Sequence, residues 1–100
     1  MAPMPDITVT RNEKKHQYEA HLDGQRVGVS RFRPGSGQVT FTHTEVEPEF
    51  EGKGVGSTLA KRALDDVRAR GEKVIAQCPF IKEYIERHPA YADLLREGAA

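Results

Sequence analysis

Apolar and polar positions along this chain keep two rhythms in turn: alternation by two as far as Val46, then recurrence by three and four from Val55 onward. The first rhythm reads as a series of short strands. Ile7-Thr8-Val9-Thr10 alternates, and the run from Arg11 to Lys15 reads as a turn, because a largely charged stretch offers no apolar face to bury. Tyr18-Glu19-Ala20-His21-Leu22 alternates again, Asp23-Gly24 is a tight-turn pair, and Gln25-Arg26-Val27-Gly28-Val29 returns as the second arm of a hairpin. Phe32 falls out of step with Val27 and Val29, so either a bulge lies near Ser30 or Phe32 packs on the opposite face. Pro34-Gly35-Ser36-Gly37 marks the next turn, and Gln38 to Val46, rich in Val, Thr and Phe, is the longest strand. The result is an antiparallel meander of four strands.

The second rhythm is helical. From Val55, apolar side chains recur at Leu59, Ala60, Ala63, Leu64 and Val67, while Lys61, Arg62, Asp65, Asp66, Arg68 and Arg70 fall elsewhere. Gly71 stops this helix, which at about 16 residues and 1.5 Å per residue spans roughly 24 Å, enough to cross a sheet. Lys73 to Gln77 is then a short apolar strand. A right-handed strand–helix–strand connection sets this fifth strand parallel to the fourth. Pro79 suits the first position of a short C-terminal helix with Ile81, Tyr84 and Ile85 on its apolar face, ending near His88 because Pro89 disfavours helical geometry before it. Ala90 to Leu95 can add a helical turn. The fold class is α/β (α+β), one domain over residues 1–100, with 1–6 and 97–100 expected to be disordered.

Composition narrows the function. Fifteen Lys and Arg balance fifteen Asp and Glu, so net charge recruits neither nucleic acid nor an anionic membrane. No stretch approaches the roughly 20 apolar residues that span a bilayer. The single cysteine, Cys78, forms no intrachain disulfide, which suits a reducing compartment and gives cytoplasmic as the expected location. The four histidines lack metal-ligand spacing, so no metal site is expected.

The chemistry concentrates where the rhythms change. Val46-Glu47-Pro48 leads through Glu49, Phe50 and Glu51 into Gly52-Lys53-Gly54-Val55-Gly56-Ser57 at the helix start. The first amides of a helix have no intrahelical acceptor and sit at the positive end of its dipole, so bare glycine backbone there lets a phosphate approach. The reading is an anion cradle. A Walker loop is excluded, because Gly54 follows Lys53 where Ser or Thr is required, and the dinucleotide fingerprint lacks its preceding βαβ start.

This segment resembles the acetyl-CoA-binding motif of GNAT-type N-acetyltransferases, a strand ending Val-x-Pro followed by Gln/Arg-x-x-Gly-x-Gly/Ala. Glu51 departs from it, standing where that family has Gln or Arg. Phe41-x-His43-Thr44-Glu45-Val46, Cys78-Pro79-Phe80 and His88-Pro89-x-Tyr91 are similar to very small stand-alone GNAT-like proteins, and the likeness runs from Tyr18 to Leu95. It implies a GNAT-like fold and acetyl-CoA or coenzyme A as cofactor. The implied contacts are Val46, Gly52, Lys53, Gly54, Val55, Gly56 and Ser57, with Cys78 and Tyr84 nearer the thiol.

For catalysis the candidates are Cys78, His43 and Glu45. Cys78 stands at the N-cap the pattern predicts for the C-terminal helix, after an apolar strand, and three readings stand: a nucleophile that accepts the acyl group, a residue lining the cofactor site, or a small buried hydrophobe. His43 and Glu45 share one face of the fourth strand, where either could take a proton from an amine, though an exposed strand face shows the same alternation. With only Arg11 to Gln17 between the first two strands and little chain after Cys78, the acceptor side should be open. An open site suits a polypeptide amine better than an enclosed metabolite. The expected function is acetyl transfer from acetyl-CoA to an amine. The alternative is a non-catalytic acetyl-CoA or coenzyme A sensor module.

Overall fold

The computed structural model describes residues 6–96, so the expectation of disorder at both ends falls, Asp6 apart, outside the described residues. Five strands form one mixed sheet in chain order: β1 (Ile7–Asn12), β2 (Gln17–Leu22), β3 (Gln25–Gly35), β4 (Gln38–Val46) and β5 (Lys73–Ala76). The first four pair antiparallel, and β5 joins β4 in parallel after the crossover helix α1 (Val55–Ala69). Helix α2 (Pro79–Arg87) follows β5, and short 3-10 turns cover Pro48–Phe50 and Pro89–Leu94. This is the architecture the hydropathy pattern predicts.

Local chemistry explains the joints. Asp23 and Gly24 have φ of 51° and 79°, the left-handed pair that matches the twist of a two-residue hairpin. At the end of α1, Gly71 N–H donates to Arg68 O at 3.0 Å and Glu72 N–H to Val67 O at 3.1 Å, which is the Schellman pattern that satisfies the last carbonyls. The whole stripe Val55, Leu59, Ala60, Ala63, Leu64 and Val67 is buried on the sheet, against Tyr18, Ala20, Phe32, Val39 and Phe41. Each large side chain so buried contributes roughly 1.5–3 kcal/mol. A Cβ on Gly28 would lie 3.2 Å from Val55 Cγ1, so glycine there lets the first turn of α1 seat closely on β3.

Two sequence expectations are corrected and an open one is resolved. The run from Arg11 to Lys15 is not all turn: β1 continues through Arg11 and Asn12, and the Arg11 side chain is only 6% exposed. Its guanidinium donates to Glu72 at 2.8 Å and to the Tyr18 hydroxyl at 3.1 Å, and its Cζ lies 4.7 Å from the Phe32 ring centroid. A paired, stacked arginine can be buried where an isolated charge cannot. Next, of the two alternatives at Phe32, a bulge near Ser30 is present: the β3–β4 register shifts between Arg31 and Phe32, and a second shift lies in the β2–β3 pair. Val27 has no partner in β2 and Thr42 none in β3, so Ser30 and Phe32 face the core while Val29 points the other way. Lastly, β3 runs on to Gly35, with Pro34 opposite Val39. Beyond Arg31 that strand has β4 on one side alone, so a proline costs no ladder bond on the other.

Candidate functional site

The fold opens a wedge at one end of the sheet. The β4–β5 ladder stops at Phe41 opposite Ala76, and Phe41 O accepts from both Gln77 N–H (3.1 Å) and Cys78 N–H (2.9 Å). From His43 to Val46, β4 runs on paired only to β3, while the chain after β5 turns away into α2.

Between β4 and α1 the backbone amides can be accounted for one by one. Phe50, Glu51 and Lys53 donate to Glu47, Pro48 and Phe50, and Thr58 makes the first helical bond to Gly54 at 3.0 Å. The amides of Gly52, Gly54, Val55, Gly56 and Ser57 find no acceptor among the described residues. Gly54 is the N-cap of α1 with φ of 80°, and no side chain caps the helix in place of a ligand. These amides border a cleft of about 450 Å³, walled by Thr44, Val46 and Phe50 on one side and by Phe80 on the other. Five unused donors at the positive end of a 15-residue helix suit a diphosphate in charge and shape. Glu51 also lines the cleft and shares a neighbouring hollow with Glu45 and Glu47.

Cys78 is the N-cap of α2 and 2% exposed. Its Sγ lies 3.3 Å from Thr44 Oγ1, which lies 2.9 Å from the fully buried Ser30 Oγ. Thr44 lines the cleft and Cys78 does not, so the hydroxyl stands between them. His43 and Glu45 do share a face of β4, joined Nε2 to Oε1 at 2.8 Å, and both are well exposed. That hydrogen bond holds the Glu45 carboxyl below the usual carboxylate range. The pair projects from the sheet face opposite Thr44 and Cys78, so the structure does not gather the three catalytic candidates in one place.

The remaining candidates divide. Val46, Gly52, Gly54, Val55, Gly56 and Ser57 all border the cleft. Lys53 does not: its amide is used in the loop and its Nζ lies over the Phe50 ring, 6.0 Å from the centroid. Tyr84 is 9% exposed, stacked on His88 at 4.0 Å, and its phenol is pushed up by burial. It lines a smaller adjoining cavity of about 170 Å³ with Ser57, Phe80, Arg87 and His88. Nearby, burial and the 2.7 Å bond to Asp65 push Tyr91 up to about 12.

Sequence reasoning did not single out Thr44, Phe50 or Phe80 as parts of the site. Thr44 looked like one polar residue of an exposed face, because the bulge at Thr42 that turns it inward has no local signature. Phe80 did carry a signal, as a large apolar residue directly after a predicted helix-opening proline. Among the described residues no group of three or more His, Cys, Asp and Glu could hold a metal ion, and no helix is long and apolar enough to cross a membrane.

This mixed sheet, with a glycine loop running from β4 into α1 beside a β4–β5 wedge, has counterparts among known proteins. A family profile described as GCN5-related N-acetyl-transferase matches residues 17–94, and the chain belongs to that family. It is 32% identical over 91 residues to Protein NATD1 of Xenopus tropicalis, covering 89% of this chain and 84% of that one. Human Protein NATD1 is 31% identical over 85 residues, covering 83% and 75% respectively. The solution structure of a GCN5-like protein from Staphylococcus aureus superposes with a TM-score of 0.67 at 24% identity, covering 89% of this chain and 87% of that one, a likeness of fold.

Proposed function

We propose that this protein binds acetyl-CoA by its diphosphate and transfers the acetyl group to an amine, with a polypeptide amine as the acceptor class. The observation that carries this is the set of five amides from Gly52 to Ser57 that border the cleft with no acceptor of their own. When bound, the coenzyme supplies an activated thioester. The chain's own part is to orient it: the amides grip the anion, Val46 and Phe50 pack an apolar arm, and Thr44 with Cys78 closes the inner end of the wedge. Direct transfer fits this arrangement better than a covalent relay, because Thr44 must turn aside before Cys78 Sγ can reach the cleft. His43 and Glu45 are the candidate bases on the far face, and the gap beyond the last β4–β5 pair is the route between the two faces.

Nuclear magnetic resonance titration with coenzyme A tests the reading. The amide resonances of Gly52 to Ser57 should move most, and unmoved loop amides at saturating ligand would retire it. A second reading, a coenzyme-binding module without efficient transfer, is favoured by the burial of Cys78 and the split of the catalytic candidates across two sheet faces. Loop shifts without acetylation of any protein amine would select it.

A further inference from the structure

Ser30, Thr44 and Cys78 are joined in a row at 2.9 and 3.3 Å, and the donors each carries set the direction of the protons along it. A hydroxyl donates one proton and can accept two. Ser30 is fully buried, and Thr44 is the one partner of its hydroxyl among the described residues. Were Thr44 to donate to Ser30, the Ser30 proton would be buried with no acceptor, a costlier arrangement than the reverse. Ser30 therefore donates and Thr44 Oγ1 accepts. The Thr44 proton is left with Cys78 Sγ, a weak acceptor, and with no protein acceptor at all when the thiol itself donates to Thr44. Thr44 also borders the cleft, so a ligand oxygen there offers that proton a stronger acceptor than sulfur.

We propose that the Thr44 hydroxyl recognises the acyl group, donating to the carbonyl oxygen of a thioester held in the cleft. The proposal rests on the reading that the amides of Gly52 to Ser57 grip a diphosphate whose arm lies along Val46 and Phe50. It adds a discrimination between acylated and free coenzyme that neither the amides nor the apolar wall supplies. A free thiol presents no oxygen at that place, and the hydroxyl then falls back on Cys78. Ser30 is a positioning residue: its bond fixes which way the Thr44 proton turns, and bonds in a chain strengthen one another. The site so built holds loaded coenzyme more tightly than spent coenzyme.

Calorimetry with acetyl-CoA and with coenzyme A, no amine acceptor present, tests this. One hydrogen bond to an oxygen is worth a factor of about five in affinity, so Thr44→Val should weaken acetyl-CoA about fivefold more than it weakens coenzyme A. Ser30→Ala should change that ratio less, and Thr44→Ser should restore it. Acetyl-CoA isotope-labelled at the carbonyl carbon gives a second readout: its resonance should move downfield on binding wild type or Thr44→Ser, and much less on binding Thr44→Val. An affinity ratio unchanged in Thr44→Val, with the loop amides still shifted by coenzyme A, would overturn acyl recognition and leave the cradle intact. Should Thr44→Val fail a circular-dichroism check of its fold, the label decides, because a carbonyl resonance unmoved in saturated wild type overturns the proposal. Loop amides of the wild type that ignore coenzyme A would overturn the cradle and the proposal together.

Discussion

Replacing Thr44 by valine exchanges a hydroxyl for a methyl at similar volume and cuts the chain Ser30–Thr44–Cys78 at its centre. Ser30 is fully buried, and Thr44 is its one side-chain hydrogen-bond partner among the described residues. The substitution therefore removes a bond and strands a hydroxyl. A hydrogen bond contributes a net 0.5–1.5 kcal/mol, roughly, and an orphaned buried partner costs about 1–3 kcal/mol, so Thr44→Val should destabilise by about 2 kcal/mol. Ser30→Ala should cost less, about 1 kcal/mol, because Thr44 keeps Cys78 and borders the cleft. The double variant removes both polar groups and should be less destabilised than the two singles added together, with a coupling of about 1–2 kcal/mol. Urea unfolding measures this directly: at about 2 kcal/mol per molar, Thr44→Val lowers the midpoint by roughly 1 M and the double variant restores part of it. If the double variant loses the full sum of the singles, the two hydroxyls act independently and the relay is not a unit.

Gly54→Ala places a side chain at φ of 80°, a strain of about 1–2 kcal/mol, and should also weaken coenzyme A binding by turning the cradle amides; calorimetry showing unchanged affinity would contradict the amide assignment. Cys78→Ala should keep coenzyme A affinity within about threefold and retain any acetyl transfer, since Sγ is off the cleft wall; intact mass showing a stable acetyl on wild type but not on the variant would put sulfur on the path. Acid should find Asp66, where burial favours the neutral acid but the Tyr18 hydroxyl and the Arg70 guanidinium outweigh it and hold the carboxyl below its ordinary 3.8. The folded state then binds fewer protons there than the unfolded one, so this contribution is complete above the ordinary value and fades as pH falls through the lowered one. Urea midpoints followed from pH 6 to pH 2 should drop less steeply in Tyr18→Phe than in wild type.

What could be read from residues alone was whatever local chemistry decides. The Asp23-Gly24 hairpin, the apolar stripe of α1 and the glycine loop each follow from spacing within a dozen or so residues, and the parallel return of β5 follows from the order strand, helix, strand. What escaped depends on partners far along the chain. Arg11 reads as surface charge until Glu72, 61 positions away, and the faces of Tyr18 and Phe32 are brought to it. The unpartnered residues at Val27 and Thr42 answer to the twist of the whole sheet, and they decide that Thr44 faces Cys78 while His43 and Glu45 face away. Phe80 could be named as an apolar residue but not as the neighbour of Gly56, because that contact needs two helices in place.

The crossover helix both completes the sheet and presents the loop amides, which ties ligand capture to assembly. The meander from β1 to β4 is built from neighbouring hairpins, whereas docking β5 beside β4 must wait for α1 to span the distance, the slower kind of step. Until that step finishes the loop amides are not gathered, so on the proposed function coenzyme A would act on the finished chain alone. At a hundredfold excess over its dissociation constant it would add about 2.7 kcal/mol to a small protein's stability, which would make coenzyme supply a determinant of how much of the chain stays folded.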